Sequence, residues 1–289
     1  MTAETYLSLL RRGARTLKEA GVDEPAREAR LLLALAAHMR AVDLISRERD
    51  QISDAGVCTR FEAFIRRRSL REPFAHIAGY RQFYGLALKA DARALVPRHD
   101  SEIAVERALE LLPRGRGVTV ADLGTGSGCL LAAILCQRSG VRGIAIEAKV
   151  DAAALARENF QRLDILDRLH LTIGSWANWQ LWSGASLVIS NPPYIRSAEI
   201  EQLDPEVREH DPRFALDGGD DGLDAYREII SLGVQNLRPA TPLVLEIGFD
   251  QAESVCSILQ HAGFDEISVL KDFSGHDRVV SGRSPSAKS

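Results

Sequence analysis

The chain has 289 residues, of which 45% are hydrophobic and 26% charged, with a formal net charge of −4 at pH 7. This balance is typical of one large or two smaller globular domains, and it excludes collagen, coiled-coil rods and wholesale disorder. No apolar run approaches the roughly 18–20 residues of a membrane span, and the first residues lack the apolar core of a signal peptide. We therefore expect a cytoplasmic protein with no membrane partner.

Charge is distributed unevenly along the chain. Residues 1–100 hold 18 Lys and Arg against 13 Asp and Glu, whereas residues 101–289 hold 18 against 27. The acidic balance of the longer part argues against nucleic acid held by bulk charge. The mildly basic first third fits either an acidic or RNA-rich partner or an ordinary solvated helical surface.

The cysteines are scattered through the chain. Cys58, Cys129, Cys136 and Cys256 show no C-x-x-C spacing. A disulfide framework and a zinc site are therefore not expected, and we predict reduced structural thiols and no metal.

Residues 1–70 are predicted to form a small helical bundle. Apolar residues recur at spacings of three and four from Leu7 to Leu17. Pro25 suits the first turn of a second helix, which is predicted to run to residue 38. Ser53 is expected to cap a third helix, which ends at the arginine run 66–68.

Residues 71–100 are predicted to be a connector. Pro73 breaks the preceding helix, and short apolar alternation on both sides of Gly85 predicts a hairpin. The segment 95–98 is expected to cover the mouth of the following domain.

Helices and strands alternate from residue 101 to residue 283, which predicts an α/β domain with an open parallel sheet covered on both faces. The final strand follows its predecessor without a helix, so it must pair antiparallel. Residues 284–289 are expected to be a disordered tail. Helices are predicted at 102–112, 129–137, 151–163, 225–237 and 251–262, and strands at 118–123, 142–147, 170–173, 186–190, 242–247, 267–271 and 278–282.

A glycine-rich turn follows the first strand of this domain. It reads Gly124, Thr125, Gly126, Ser127, Gly128 and lets the backbone approach a ligand closely. A phosphate loop needs a lysine that is absent here, and the dinucleotide fingerprint G-x-G-x-x-G/A does not fit either. The spacing D-x-G-x-G-x-G resembles the first motif of class I methyltransferases with a Rossmann-like sheet, which implies S-adenosylmethionine as the methyl donor.

Glu147 ends the next strand, where a carboxylate can accept hydrogen bonds from both ribose hydroxyls of such a ligand. Trp176 follows the third strand and offers an aromatic wall beside the adenine. The family often has Asp at the position of Ser175, so its adenine contact is expected to be weaker here. Trp179 and Trp182 are interpreted as packing residues.

The tetrapeptide Asn191-Pro192-Pro193-Tyr194 follows the fourth strand. The Asn191 side-chain oxygen and the Pro192 carbonyl can accept the two hydrogens of a planar amino group. Asn191 is also expected to border the cofactor. The Tyr194 ring can stack on such a group and fix its plane. Enzymes that methylate adenine, guanine or glutamine share this motif, so the tetrapeptide alone does not separate them.

The wider pattern resembles the release factor glutamine methyltransferases. The resemblance implies methyl transfer to the side-chain amide nitrogen of the glutamine in the Gly-Gly-Gln motif of peptide chain release factors. It also implies that the helical domain 1–70 helps to grip the release factor. The blocks that carry it, in chain order, are 71–73, 77–79, 83–85, 96–102, 203–207, 211–212, 215–216, 218–223 and 245–248.

The connector departs from the family's usual Pro-Arg-Pro-Glu-Thr-Glu at His99, Asp100 and Ser101. His99 is expected to be structural. The ribosomal-protein glutamine methyltransferases are the second candidate, although their connector usually lacks the acid found at Glu102. Two further alternatives are a nucleic-acid amino methyltransferase that acts on adenine or guanine and a non-enzymatic scaffold that binds S-adenosylmethionine.

Overall fold

The structure is a computed structural model that describes residues 4–115 and 117–285. It divides into two compact units, one of Met1–Tyr80 with Asp204–His210 and one of Arg81–Leu203 with Asp211–Ser289. The boundaries predicted at residues 70 and 100 differ from this division. The sequence gives no local signal that 71–80 and 204–210 belong with the helices.

The first unit is helical, and local signals explain its helix starts. Thr5 and Ser8 form a capping box, in which the Ser8 amide donates to Thr5 Oγ1 at 3.2 Å. The prediction for Pro25 is confirmed, because it opens the second helix. The prediction for Ser53 is wrong, because Asp54 accepts from the Gly56 amide and caps the fourth helix. The helices are α1 Tyr6–Glu19, α2 Pro25–Ala36, α3 Ala41–Arg47, α4 Ala55–Ser69 and α5 Phe74–Ala78.

A leucine-rich core holds this unit together. Leu9, Leu17, Leu32 and Leu33 are fully buried. A Cβ at Gly13 would lie 2.6 Å from the Phe61 ring, so this glycine allows α1 and α4 to pack closely.

Asp204–His210 belongs to the helical unit through Glu206. This carboxylate accepts from Arg68 Nη1 at 2.9 Å and from Arg71 Nη2 at 2.6 Å. Arg68 is largely buried and also donates to Glu28 at 2.9 Å. A segment distant in sequence is thus tied to α4 by charge-assisted hydrogen bonds.

The second unit contains the expected hairpin and sheet. The hairpin strands β1 and β2 are joined by Tyr84 and Gly85, as predicted. The strands are β1 Tyr80–Phe83, β2 Leu86–Lys89, β3 Thr119–Leu123, β4 Arg142–Glu147, β5 Leu169–Ile173, β6 Leu187–Ser190, β7 Pro242–Glu246, β8 Asp265–Lys271 and β9 Asp277–Arg283. The remaining helices are α6 Glu102–Leu111, α7 Cys129–Gln137, α8 Val150–Arg162, α9 Pro205–Arg208 (in the helical unit), α10 Asp224–Asn236 and α11 Ala252–His261.

The seven-stranded sheet has the order β5-β4-β3-β6-β7-β9-β8. β9 runs antiparallel to both of its neighbours, and the other pairings are parallel, which confirms the predicted topology. The register places Leu123 opposite both Ile146 and Ser190. Strand order reverses on the two sides of β3, so the carboxyl ends of β3, β4 and β6 form the crevice where ligands bind in such sheets.

Helices cover both faces of the sheet. Val120 belongs to a core cluster with residues of α6, α7 and α8, whereas its neighbour Ala121 belongs to a cluster with residues of α10 and α11. Successive residues of a strand point to opposite faces, so the two clusters lie on opposite sides of the sheet. Trp179 and Trp182 are buried in the second cluster with ring centroids 5.2 Å apart, which confirms their interpretation as packing residues.

The predicted tail begins too early. Ser284 is buried, accepts from the Thr241 amide at 3.0 Å and donates to the Arg238 carbonyl at 2.6 Å. Residues 286–289 lie outside the described part of the chain. Among residues 4–115 and 117–285, no helix combines the length and apolar character needed to cross a bilayer.

Candidate active site

A cavity of about 300 Å³ lies at the carboxyl ends of β3, β4 and β6, within the size range of ligand sites. The connector contributes to its wall, as predicted. Its lining residues are Ala94, Leu95, Pro97, Arg98, Ser101, Gly124, Thr125, Gly126, Ser127, Cys129, Leu130, Glu147, Ala148, Lys149, Trp176, Asn191, Pro192, Pro193, Phe214 and Ala215.

The glycine turn leaves space in this cavity. Gly124 and Gly126 have φ angles of 70° and 56°, in the left-handed region that favours glycine. A Cβ built at Gly126 would meet no heavy atom closer than 4.0 Å. At Gly124, a Cβ would lie 3.1 Å from the Trp176 ring. Gly126 therefore keeps the cavity open, as the motif predicts, and Gly124 allows the Trp176 ring to pack against the turn.

Gly128 has a different place from the one predicted. It was expected to bind the cofactor, but it does not line the cavity. A Cβ at this position would lie 2.6 Å from the Phe160 ring, and the φ angle is 83°. The third glycine therefore allows the start of α7 to pack against α8.

Asp122, at the penultimate position of β3, stabilises the glycine turn through a hydrogen bond with Thr125. The sequence alone did not suggest this role. Asp122 Oδ2 accepts from Thr125 Oγ1 at 2.6 Å, and Oδ1 has no partner among the described residues. Burial raises the pKa of Asp122 to about 7, while the bond from Thr125 opposes this shift. The first residue of the D-x-G-x-G-x-G pattern was the available signal.

Glu147 presents its carboxylate to the cavity while the backbone holds it in place. Oε2 accepts from the Gly126 amide and Oε1 from the Lys149 amide, both at 2.9 Å. A carboxylate has about four acceptor positions, so both oxygens can accept further hydrogen bonds. The orientation is set before any ligand arrives.

Two aromatic residues stand beside the turn. Trp176 lines the cavity, and its Nε1 donates to Glu228 at 2.6 Å. Phe214 also lines it, with the Lys149 ammonium 5.1 Å from its ring centroid. Phe214 was not predicted as a site residue, because it lies in a short turn more than twenty residues after β6. Ser175 does not line the cavity; its hydroxyl accepts from the Ala177 amide.

Asn191, Pro192 and Pro193 line the cavity together with the glycine turn. The Asn191 side chain donates through Nδ2 to Ser101 Oγ at 3.5 Å. From the sequence, Ser101 was noted only because it departs from the connector pattern of the family. It is buried and lines the same cavity.

Tyr194 does not line the cavity, contrary to the expectation that its ring stacks on the acceptor. The ring packs against the core cluster formed with α10 and α11, and burial raises its pKa to about 12. Its backbone is held tightly, because a Cβ at Gly218 would lie 2.8 Å from Tyr194 Cα. Gln251 Nε2 also donates to the Tyr194 carbonyl at 2.9 Å. Tyr194 therefore anchors the loop.

Glu246 ends β7 and is buried beside this loop. Burial raises its pKa to about 7, while a side-chain hydrogen bond with Ser101 and the charge of Arg278 oppose the shift. Its Oε2 has no hydrogen-bond partner in the described part of the chain. The sequence showed Glu246 only as part of the block 245–248.

A reversal of strand order, a glycine turn after β3, an acid at the end of β4 and an Asn-Pro-Pro-Tyr loop after β6 meet at one crevice. Together they define a class I methyltransferase that uses S-adenosylmethionine.

Comparisons with known proteins identify the family. Residues 8–79 match the model described as the PrmC N-terminal domain. The release factor glutamine methyltransferase of Caulobacter vibrioides is 40% identical over 266 residues, which cover 92% of each chain. That of Cereibacter sphaeroides is 39% identical and covers 96% of this chain and 98% of its own. The chain belongs to the release factor glutamine methyltransferase family.

A solved structure supports the fold. The hMettl16 catalytic domain, in complex with the MAT2A 3′UTR hairpin 6, aligns with a TM-score of 0.58 at 14% identity. The alignment covers 71% of this chain and 77% of that one.

Proposed function

We propose that this chain transfers a methyl group from S-adenosylmethionine to the side-chain amide nitrogen of the glutamine in the Gly-Gly-Gln motif of peptide chain release factors. One observation carries the site assignment: Asn191 and Pro192 line the same cavity as Gly126 and Glu147. The residues proposed to bind the methyl donor and those proposed to bind the acceptor thus line the same cavity. Such an activity places the protein in the cytoplasm, in translation termination.

The cavity fits the methyl donor. Gly124 and Gly126 leave the space that a ligand beside the backbone needs, and Glu147 offers oxygens for a pair of hydroxyls. Thr125, Ser127 and Trp176 complete this side of the site, with Gly128 shaping it only indirectly. When bound, S-adenosylmethionine supplies an electrophilic methyl group on a sulfonium.

The acceptor side has to orient a poor nucleophile. An amide nitrogen delocalises its lone pair into the carbonyl, so the enzyme must hold both N–H groups and aim the nitrogen at the methyl carbon. The Asn191 Oδ1 and the Pro192 carbonyl are the two acceptors for those hydrogens. The chain contributes alignment and exclusion of water, which can together lower a barrier by several kcal/mol. As the nitrogen–methyl bond forms, the methyl–sulfur bond breaks and a neutral thioether departs, and the methylated nitrogen then releases one proton to solvent. The proposed reaction uses no metal.

The loop behind these acceptors is rigid. Pro192 and Pro193 fix two φ angles, and Tyr194 is anchored in the core. Tyr194 therefore acts in this proposal by fixing Asn191 and Pro192, and Pro193 completes the acceptor wall. The helical domain is proposed to grip the release factor, and no direct binding of nucleic acid is required.

The test is methyl transfer from labelled S-adenosylmethionine to separate candidates. A release factor should accept one methyl group at its Gly-Gly-Gln glutamine, located by peptide mass spectrometry. The same factor with that glutamine changed to alanine should accept none. Equal labelling of the alanine-substituted factor would refute the acceptor. Labelling of a ribosomal protein or bare RNA, without the release factor, would favour one of the alternative activities.

A further inference from the structure

An asparagine amide can point in two ways, and the proposed function needs one of them. Asn191 must present Oδ1 to the glutamine N–H, because its Nδ2 is a donor and would repel those hydrogens. Nothing in the backbone of an Asn-Pro-Pro turn selects between the two orientations. The selection has to come from the side chains that contact Asn191.

Ser101 is the side chain in that position. Asn191 Nδ2 lies 3.5 Å from Ser101 Oγ, and Ser101 is only 2% exposed. A hydroxyl has one proton to donate and two lone pairs that accept. Whether Ser101 accepts from Nδ2 or donates to Oδ1 therefore depends on where its single proton goes.

Glu246 determines the direction of that proton. The residue is 1% exposed and follows Leu245, which pairs in register with Ser190 directly before Asn191. Hydrogen bonding with Ser101 acts to lower the pKa of the Glu246 carboxyl group. An ionised carboxylate can only accept, so the Ser101 proton points to Glu246. The lone pairs of Ser101 are then left for Asn191, which must turn its Nδ2 toward them.

Burial favours the neutral carboxyl group and raises the pKa of Glu246 to about 7, so the group is ionised at a pH well above 7. Arg278 and Arg98 act on Glu246 as cations, and Asp100 opposes them. Arg278 is itself held by Asp272 at 3.1 Å and lies 3.6 Å from Asp100. The positive charge that opposes the effect of burial on Glu246 is thus held in place by Asp272.

We propose that Ser101 and Glu246 are positioning residues that fix the amide orientation of Asn191, so that Oδ1 faces the acceptor glutamine. The inference rests on the proposed function and deepens it. Neither residue needs to touch the methyl donor. Both act on turnover through Asn191.

The first test compares serine variants of the full chain at pH 8.5, above the raised pKa of Glu246. Ser101→Ala should lower kcat for a release factor roughly tenfold, the size expected for loss of one hydrogen bond. The affinity for S-adenosylmethionine by calorimetry, and KM for the release factor, should change less than twofold. Ser101→Thr keeps the hydroxyl and should restore most of the rate.

Ser281→Ala is the matched control. Ser281 is equally buried and bonds to Arg107 at 3.0 Å, but it lies on β9 and does not line the cavity. Its kcat should stay within twofold of wild type. If Ser101→Ala fails to fold by circular dichroism, Ser101→Cys keeps the volume with a weak donor and should show the same loss.

A double-mutant cycle separates orientation from general packing. Aspartate has two oxygens, so an Asn191→Asp enzyme presents an acceptor whichever way its side chain turns. Ser101→Ala should therefore cost roughly tenfold in kcat with Asn191 present and less than twofold in the Asn191→Asp background. Equal losses in the two backgrounds would overturn the inference.

Glu246→Gln supplies the last arm. Its amide can donate to Ser101 and release the hydroxyl proton toward Asn191, so kcat should fall without loss of S-adenosylmethionine affinity. An unchanged kcat for both Glu246→Gln and Ser101→Ala, with an active wild type, would refute the positioning role and leave the proposed function intact. A wild-type chain that methylates no release factor would overturn both.

Discussion

The glycine turn 124–128 and the loop 191–194 occupy equivalent places at the ends of neighbouring strands, yet they are built by opposite means. Leu123 and Ser190 are paired in register, so the two segments leave the sheet side by side. The turn creates its site by lacking side chains at Gly124 and Gly126. The loop creates its site with side chains and carbonyls on a backbone that prolines and distant residues hold still.

The turn and the loop differ in which residues determine their conformation. The turn is specified locally, because positive φ angles at its glycines follow from the residues themselves. The loop depends on residues brought from elsewhere: Gly218 and Gly222 leave room for the Tyr194 backbone, and Gln251 donates to its carbonyl. Changes in the turn should therefore affect binding of the donor, and changes around the loop should affect turnover.

The largest effect is expected in the turn. Gly126→Val puts a β-branched side chain at a φ angle of 56° and into the open cavity. Affinity for S-adenosylmethionine, measured by calorimetry, should fall by more than about 100-fold, since strain and occlusion each cost of order 1–3 kcal/mol. Gly140→Val is the control, because Gly140 has no positive φ angle and no neighbour within 4 Å of a Cβ. Normal binding by the Gly126 variant would show that the turn is not the site.

A change in the loop should lower turnover and leave the affinity for S-adenosylmethionine largely intact. Asn191→Ala removes the proposed acceptor and should lower kcat. The expected loss of transition-state stabilisation is on the order of 2–4 kcal/mol. Affinity for S-adenosylmethionine should stay largely intact, although Asn191 was also predicted to border the cofactor. Asn191→Asp keeps an oxygen and should rank between wild type and the alanine variant. Undiminished turnover in Asn191→Ala would refute the clamp.

Glu147 tests a side chain that acts together with the turn. Glu147→Ala removes the proposed acceptor for two hydroxyls and should weaken S-adenosylmethionine binding by roughly 1.5–3 kcal/mol. Glu158→Ala on α8 is a matched control, since that carboxylate pairs with Arg93 and Lys89 away from the cavity. A dissociation constant for the Glu147 variant equal to that of the control contradicts the assignment.

The smallest effect concerns the stability of the protein and comes from Asp122, which bonds to the glycine turn. The pKa of Asp122 rises from 3.8 to about 7 on folding, so the folded state binds the proton more tightly. The contribution of this group to the free energy of unfolding is therefore fully present below pH 3.8 and declines as pH rises toward 7. Asp122→Asn should remove that decline, so the difference between the variant and wild type in the free energy of unfolding should change steadily between pH 5 and 7 and level off above pH 7. Parallel pH profiles of urea unfolding would contradict it.

Much of the fold followed from periodicity. The predicted helix 129–137 and strand 142–147 have the observed bounds, because long apolar runs between turn signals determine them. The short helices α3 and α5 were missed, since they have too few turns to show a period. Gly128 and Tyr194 could not be placed from the motif, because their partners, Phe160 and the α10–α11 core, are set by tertiary packing.

The sequence predicted part of the site, as it predicted part of the fold. The predicted residues from Gly124 to Ser127, with Glu147, Trp176 and the loop 191–193, do line one cavity, while their individual roles stay predictions. Phe214, Ser101, Asp122 and Glu246 escaped notice. Phe214, Ser101 and Glu246 lie outside the two motifs, and only the fold brings them near the crevice, whereas Asp122 is the first residue of the D-x-G-x-G-x-G pattern but was given no role.

Glu206 has a consequence for how the helical unit can be inherited. Its carboxylate binds Arg68 and Arg71, so one compact unit is written in two separated stretches of the gene. A recombination event that joins codons 1–80 to another methyltransferase would deliver the half-buried Arg71 without its acid and would leave the buried Arg68 with Glu28 alone. Burying unpaired charge is costly, so the recipient would need to acquire the short second stretch as well. The unit can therefore be exchanged intact only as a pair of segments.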